Sequence, residues 1–282
     1  MTQISRRKVL STLGTVGAAS LLTGCRDASL SSSAAAAGPS QPADGACPAT
    51  PAHAAQITPS GPSSLTWDYV RLDPADVADR AYRIYPEGGC MYAVVASVVG
   101  ALADRVGEPF RSFPVEMMRY GDGGVGAWGS LCGVVNGGAA LIGMFRNEKT
   151  KKRREAIITE LGVWYETTPL PEYRPISPKW ADEAEPSVAG ALLCHVSVSR
   201  WCKASACEAF SVEKKERCRR LAADGASKIV QLLNRDLEGD LIEGKLTPAV
   251  NTCVDCHGTK NLENAMVKMN CATCHQFERK HP

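Results

Sequence analysis

The most specific chemistry in the sequence lies near its C-terminal end, in Cys253-Val254-Asp255-Cys256-His257 and Cys271-Ala272-Thr273-Cys274-His275. Each run is a CxxCH motif, the pattern of covalent c-type haem attachment. Two thiols about one helical turn apart add to the porphyrin vinyl groups, and the imidazole that follows sits where it can bind the iron. A single motif would also suit a dithiol redox site or a zinc site. Two motifs in a chain with export signals read as two haem c groups. Cys253, Cys256, Cys271 and Cys274 are then the attachment residues, and His257 and His275 the proximal ligands.

Two haem irons need two further ligands unless one is left open for chemistry. The chain has 5 histidines, and after the proximal pair only His53, His195 and His281 remain. His281 follows His275 closely enough to reach the haem region by connectivity. His195 lies in the apolar run Leu192-Leu193-Cys194-His195-Val196. With so few imidazoles, His195 and His281 are the candidate distal ligands. Met266 and Met269, between the motifs, compete with them; Met ligation would raise the potential and bis-His ligation would keep it low.

Of 12 cysteines, six lie outside the haem motifs and the N-terminal region: Cys90, Cys132, Cys194, Cys202, Cys207 and Cys218. In an oxidising compartment they form disulfides. In a protein exported already folded, four thiolates instead suit an iron–sulfur cluster. Four-thiolate zinc is the third reading, although the paired CxxC spacing of such sites is missing. Spacing alone leaves these open.

The N-terminal region places the chain outside the cytoplasm. Arg6-Arg7-Lys8 precedes the apolar stretch 9–22, whose 14 residues would rise only about 21 Å as a helix, short of a ~30 Å hydrocarbon core. Residues 1–24 therefore read as a signal, twin-arginine-like in its paired arginines. Leu22-Thr23-Gly24-Cys25 resembles a lipobox, with Cys25 the lipidated residue; a plain signal peptide is the alternative. Residues 25–64, rich in Ala, Ser, Pro and Gly, read as a flexible linker. Cys47 and His53 fall in it, and His53 reads as a solvated bystander unless the linker carries a ligand to a neighbouring subunit.

At 44% hydrophobic residues the chain is too apolar for general disorder. Once the signal is discounted, 29 basic residues face 30 acidic ones, which argues against nucleic-acid binding. No GxSxG, P-loop or strand-embedded GxGxxG fingerprint is present.

The elements that must position these residues read as mainly α. Apolar residues recur at three and four over 91–106, 131–145 is apolar and rich in small residues, and 155–165 and 213–237 are amphipathic. Residues 65–245 are expected to form a helical, bundle-like domain and 246–282 a dihaem segment. The run Lys149, Lys151, Lys152, Arg153, Arg154 reads as a solvated helix start or a docking patch for an acidic partner. Lys214, Lys215, Arg217, Arg219 and Arg220, alternating with Glu213 and Glu216, read as an ordinary charged face. Trp128, Trp164, Trp180 and Trp201 read as core.

Gly88-Gly89-Cys90 opening an apolar helix, followed by Gly126-Ala127-Trp128-Gly129-Ser130-Leu131-Cys132-Gly133-Val134-Val135-Asn136-Gly137-Gly138-Ala139, resembles the helical C_GCAxxG_C_C redox family. Cys202 and Cys218, the latter in Glu216-Arg217-Cys218-Arg219-Arg220-Leu221, look like that family's last two cysteines. With two CxxCH motifs the whole resembles the split-Soret cytochromes c, over roughly residues 69–282. The resemblance implies a homodimer with closely stacked bis-His haems, some ligation crossing between subunits, and a non-haem iron–sulfur centre. On it the cluster ligands are Cys90, Cys132, Cys202 and Cys218, with Cys194 and Cys207 as alternates. The chain departs from the family at Gly133-Val134, where Gly-Ala is usual. The expected function is electron carriage between redox partner proteins in the periplasm or cell envelope, with no catalytic residue; the alternative is a reductase acting at an open haem or cluster.

Overall fold

In a computed structural model, residues 67–145, 151–180 and 183–275 are described. The signal, the linker, Cys25, Cys47, His53 and His281 lie outside them. Six helices carry the fold: α1 (Pro74–Val106), α2 (Gly133–Met144), α3 (Lys151–Thr167), α4 (Cys194–Ser205), α5 (Val212–Leu237) and α6 (Pro248–His257). The described strands are the two-residue β1 (Pro169–Leu170) and β2 (Ser187–Val188), paired antiparallel with Pro169 opposite Val188. The protein is mainly helical, as the periodicity predicts.

Helix α1 starts where its sequence says a helix can. Asp73 accepts hydrogen bonds from the Ala75 and Asp76 amides at 2.7 and 3.3 Å, and Pro74 at the first helical position loses nothing by lacking an N–H. The helix is kinked at Gly89, with φ +76° and ψ −161°. That left-handed value favours glycine, and a Cβ there would meet the Asp122 carboxylate at 2.2 Å. The kink delivers Cys90 into the core. Helices α1 and α5 pack along each other more extensively than any other pair. Val94, Val95, Val98 and Leu102 of α1 join Leu221, Ile229, Val230 and Leu233 of α5, Leu141 and Ile142 of α2, and Ile157, Leu161 and Tyr165 of α3 in one apolar core. Burying such side chains contributes roughly 1.5–3 kcal/mol each before entropy is counted.

The charged face expected on α5 is a core face instead. Glu216, Arg217, Arg219 and Arg220 are all buried: Tyr82 of α1 and Trp180 meet Glu216 and Arg219, and Ser197 of α4 meets Arg217. Glu216 accepts from Arg220 Nε at 2.8 Å and from the Tyr82 hydroxyl at 2.7 Å. Arg219 donates to the Tyr82 carbonyl at 2.6 Å and lies over the Tyr82 and Trp180 rings, 3.8 and 5.3 Å from their centroids. Guanidinium groups tolerate this because each charge is paired or stacked. The basic run at the start of α3 is partly turned inward too: Arg153 pairs with the buried Asp236 of α5 at 2.6 Å, while Lys151 stays exposed. Trp201 is core, as expected. Trp128 is not: it stands 86% exposed, on a loop whose left-handed backbone at Val125, Gly126 and Ala127 turns it outward.

Candidate functional site

Three buried thiols come together where α1, α2 and α5 meet. Cys90 follows the α1 kink, Cys132 immediately precedes α2, and Cys218 lies in the second turn of α5. Gly133 makes the approach of α2 workable: a Cβ there would sit 2.5 Å from the Gly121 carbonyl and 2.9 Å from the Cys90 Cβ. Cys218 and Cys90 are hydrogen-bonded to each other, with Cys90 as the donor. That bond, aided by the Arg217 and Lys214 charges and opposed by burial, lowers the Cys218 thiol. The same bond and burial push the Cys90 thiol up, and burial pushes up Cys132. Cys194, at the start of α4, adjoins them: burial and the Cys132 and Cys218 charges raise it to about 12.

Cys202 lies two turns further along α4, about 12 Å of rise beyond Cys194. Cys207 follows the end of α4, its sulfur against the Ser205 carbonyl at 3.6 Å. The structure thus brings Cys90, Cys132, Cys218 and Cys194 together. All ten described cysteines are free. Among the described residues, no three His, Cys, Asp or Glu side chains already converge closely enough to hold a metal ion.

Sequence reasoning missed what surrounds the thiols. The Tyr85 hydroxyl lies 3.7 Å from the Cys90 sulfur. Arg217 Nη1 points at the Cys218 sulfur at 3.9 Å, while its Nη2 donates to Ser197 Oγ at 2.7 Å. The Tyr165 hydroxyl is buried beside Cys132, whose charge helps burial hold the phenol neutral. Arg217 Nε is buried here with no hydrogen-bond partner. No motif marks these residues, and the charges around Arg217 pointed to solvent.

The two CxxCH motifs form a second site. Both line one cavity of about 1010 Å³, with Cys253, Cys256, His257, Cys271, Cys274 and His275 in its wall. Helix α6 presents the first motif and ends on its histidine, and a short 3-10 turn, Cys271–Thr273, presents the second. The first cysteines of the motifs face each other: burial and a hydrogen bond with Cys253 raise the Cys271 thiol. His257 Nδ1 lies 2.9 Å from Asn264 Oδ1. The amide oxygen only accepts, so the imidazole donates from Nδ1 and keeps Nε2 as its lone-pair nitrogen. Met266 and Met269 also line the cavity.

His195 is elsewhere, exposed on the first turn of α4, with Nδ1 3.0 Å from the Gly129 carbonyl. It does not line the CxxCH cavity. The segment carrying the second motif is fastened to the helices by Asn270 N–H to Glu166 at 3.1 Å, Lys268 to Thr159 at 3.1 Å, and Thr273 to the Gly190 carbonyl at 2.7 Å.

Buried convergent thiols on a helical scaffold, beside a segment of paired CxxCH motifs, define a class of redox protein. The model of the redox-active family C_GCAxxG_C_C matches residues 92–232. Over 96% of its length the chain is 32% identical to the split-Soret cytochrome c of Desulfovibrio desulfuricans, covering 94% of that protein. A solved structure of that cytochrome, described as having a novel iron centre, matches with a TM-score of 0.71 and 33% identity, over 76% of this chain and 91% of the other. The chain belongs to the split-Soret cytochrome c family, a family of redox proteins.

Proposed function

We propose that this chain is an exported dihaem c-type cytochrome that carries electrons between envelope redox partners and also holds a thiolate-bound iron–sulfur centre. The observation that carries the reading is the single cavity walled by both CxxCH motifs. Cys253 and Cys256 would attach one haem and Cys271 and Cys274 the other, with His257 and His275 as proximal ligands. The contact of Cys253 with Cys271 supports haems attached close together, a spacing suited to passing single electrons. Haem supplies reversible one-electron chemistry when bound. The chain's own part is to orient ligands: Asn264 fixes the tautomer and ring plane of His257.

Donor chemistry supports the second centre. Soft, buried thiols are iron–sulfur donors, and the orphaned donor beside them, Arg217 Nε, lacks the electron-rich acceptor that such a centre would supply. Cys90, Cys132 and Cys218 would hold it with Cys194 as fourth ligand, in place of the Cys202 expected from the family resemblance. Export by the twin-arginine-like signal, lipidation of Cys25, periplasmic or envelope location and homodimerisation complete the proposal.

The test is haem, total iron and acid-labile sulfide per chain on natively exported protein. Two haems with additional iron and sulfide support the whole reading; two irons, both in haem, leave a dihaem carrier without a cluster. The reductase reading draws on one observation, that His195 stands outside the cavity. Carbon monoxide binding by the reduced protein would favour it, and indifference to carbon monoxide would remove it.

A further inference from the structure

We infer that Tyr85, Tyr165 and Arg217 are positioning residues that set the reduction potential of the thiolate-bound centre, each serving one cysteine. The inference rests on the iron-centre reading above. Each of the three buried cysteines has its own donor, and the donors come from three different helices. Tyr85 of α1 lies 3.7 Å from the Cys90 sulfur. Tyr165 of α3 is buried against Cys132. Arg217 of α5 reaches the Cys218 sulfur at 3.9 Å.

The arrangement has a cost that folding alone does not explain. Leaving a buried guanidinium nitrogen unpaired destabilises the fold, and Arg217 Nε is so placed. Ser197, itself buried, fixes the guanidinium by accepting from Nη2 at 2.7 Å, so Arg217 cannot swing to another acceptor without losing that bond. Reduction of an iron centre adds one negative charge to the thiolates and the groups they hold. Donors and a fixed cation aimed at the sulfurs stabilise that reduced state more than the oxidised one, which raises the potential. Arg217 combines charge with direction, since a guanidinium is not deprotonated in proteins. The tyrosines contribute direction without charge.

The experiment is a redox titration of the iron centre, monitored by electron paramagnetic resonance, on the full, natively exported holoprotein. Wild type is compared with Tyr85→Phe, Tyr165→Phe, Arg217→Met and Arg217→Lys. Both Phe variants are expected to keep wild-type haem and iron content and to lower the centre's midpoint while the haem midpoints stay put. Arg217→Met lowers it further, and Arg217→Lys recovers most of that shift. If Arg217→Met does not fold, the two Phe variants and Arg217→Lys decide. A midpoint unmoved in both Phe variants overturns the inference, as do shifts that follow the haem potentials and the thermal midpoint together. Wild-type protein whose only iron is in haem removes the centre itself, a failure visible before any variant is compared.

Discussion

Arg217 lies 3.9 Å from the sulfur of its own chain neighbour, Cys218. Consecutive residues on a helix point about 100° apart, so this contact exists because the long arginine side chain bends back inside the core. A buried cation is thereby placed against a buried cysteine sulfur, with Ser197 holding the other end of the guanidinium.

The cysteine neighbourhood predicts which substitutions empty the centre. Cys90→Ser, Cys132→Ser and Cys218→Ser should each abolish non-haem iron while haem stays at two per chain, and Cys194→Ser should reduce it severalfold. Cys202→Ser should leave it unchanged. Metal analysis with a haem assay on each purified variant checks this, and loss of non-haem iron in Cys202→Ser would reinstate the ligand set implied by the family resemblance.

Asn264 predicts a haem effect. An imidazole that donates from Nδ1 is a stronger ligand through Nε2 and favours ferric iron. Asn264→Ala removes the acceptor 2.9 Å from His257 Nδ1. One of two haem midpoints should rise and the other remain, in a potentiometric titration followed optically.

The buried Glu216–Arg220 pair predicts a stability effect. Glu216→Ala strips a buried guanidinium of a carboxylate at 2.8 Å and leaves the Tyr82 hydroxyl without its acceptor. Breaking one side of such a pair costs about 3–5 kcal/mol. Replacing both residues by apolar ones of similar volume, as in Glu216→Leu with Arg220→Met, should recover much of that loss. Urea unfolding of the three proteins measures it.

Asp224 predicts a pH dependence. Burial raises its carboxyl to about 7, against hydrogen bonds from the Glu172 and Tyr173 amides that pull the other way. A carboxyl raised above its unfolded value of ~3.9 contributes stability that is fully present below about pH 4 and lost as pH rises through 7. Urea midpoints should therefore fall across that window in wild type, and the fall should flatten in Asp224→Asn.

Much of this was readable from residue order. The periodicity over 91–106, 131–145, 155–165 and 213–237 located α2, α3, α5 and the second half of α1 to within a few residues, since an apolar stripe at helical spacing has few other ways to be buried. The sequence reading starts the helix at Gly88-Gly89-Cys90, whereas α1 begins at Pro74 and runs through a kink at Gly89. Charge alternation misled at Arg217, Arg219 and Arg220: a local pattern cannot reveal that Tyr82, Ser197 and Trp180, distant in sequence, arrive to pair with them. The buried thiols were named as a group, yet spacing offered no ground for preferring Cys194 to Cys202. Only the direction in which α4 enters the core separates them.

The fastening of the CxxCH segment has a consequence for how the protein is made. Three polar contacts, at Glu166, Thr159 and Gly190, hold residues 268–273 to the helices, and α6 buries Val250 alone. The helical core, by contrast, closes around its thiols with no help from that segment. On the proposed function, maturation would run in two stages: the helices can assemble around their thiols without the C-terminal stretch, which, held by these few contacts, would receive porphyrin afterwards.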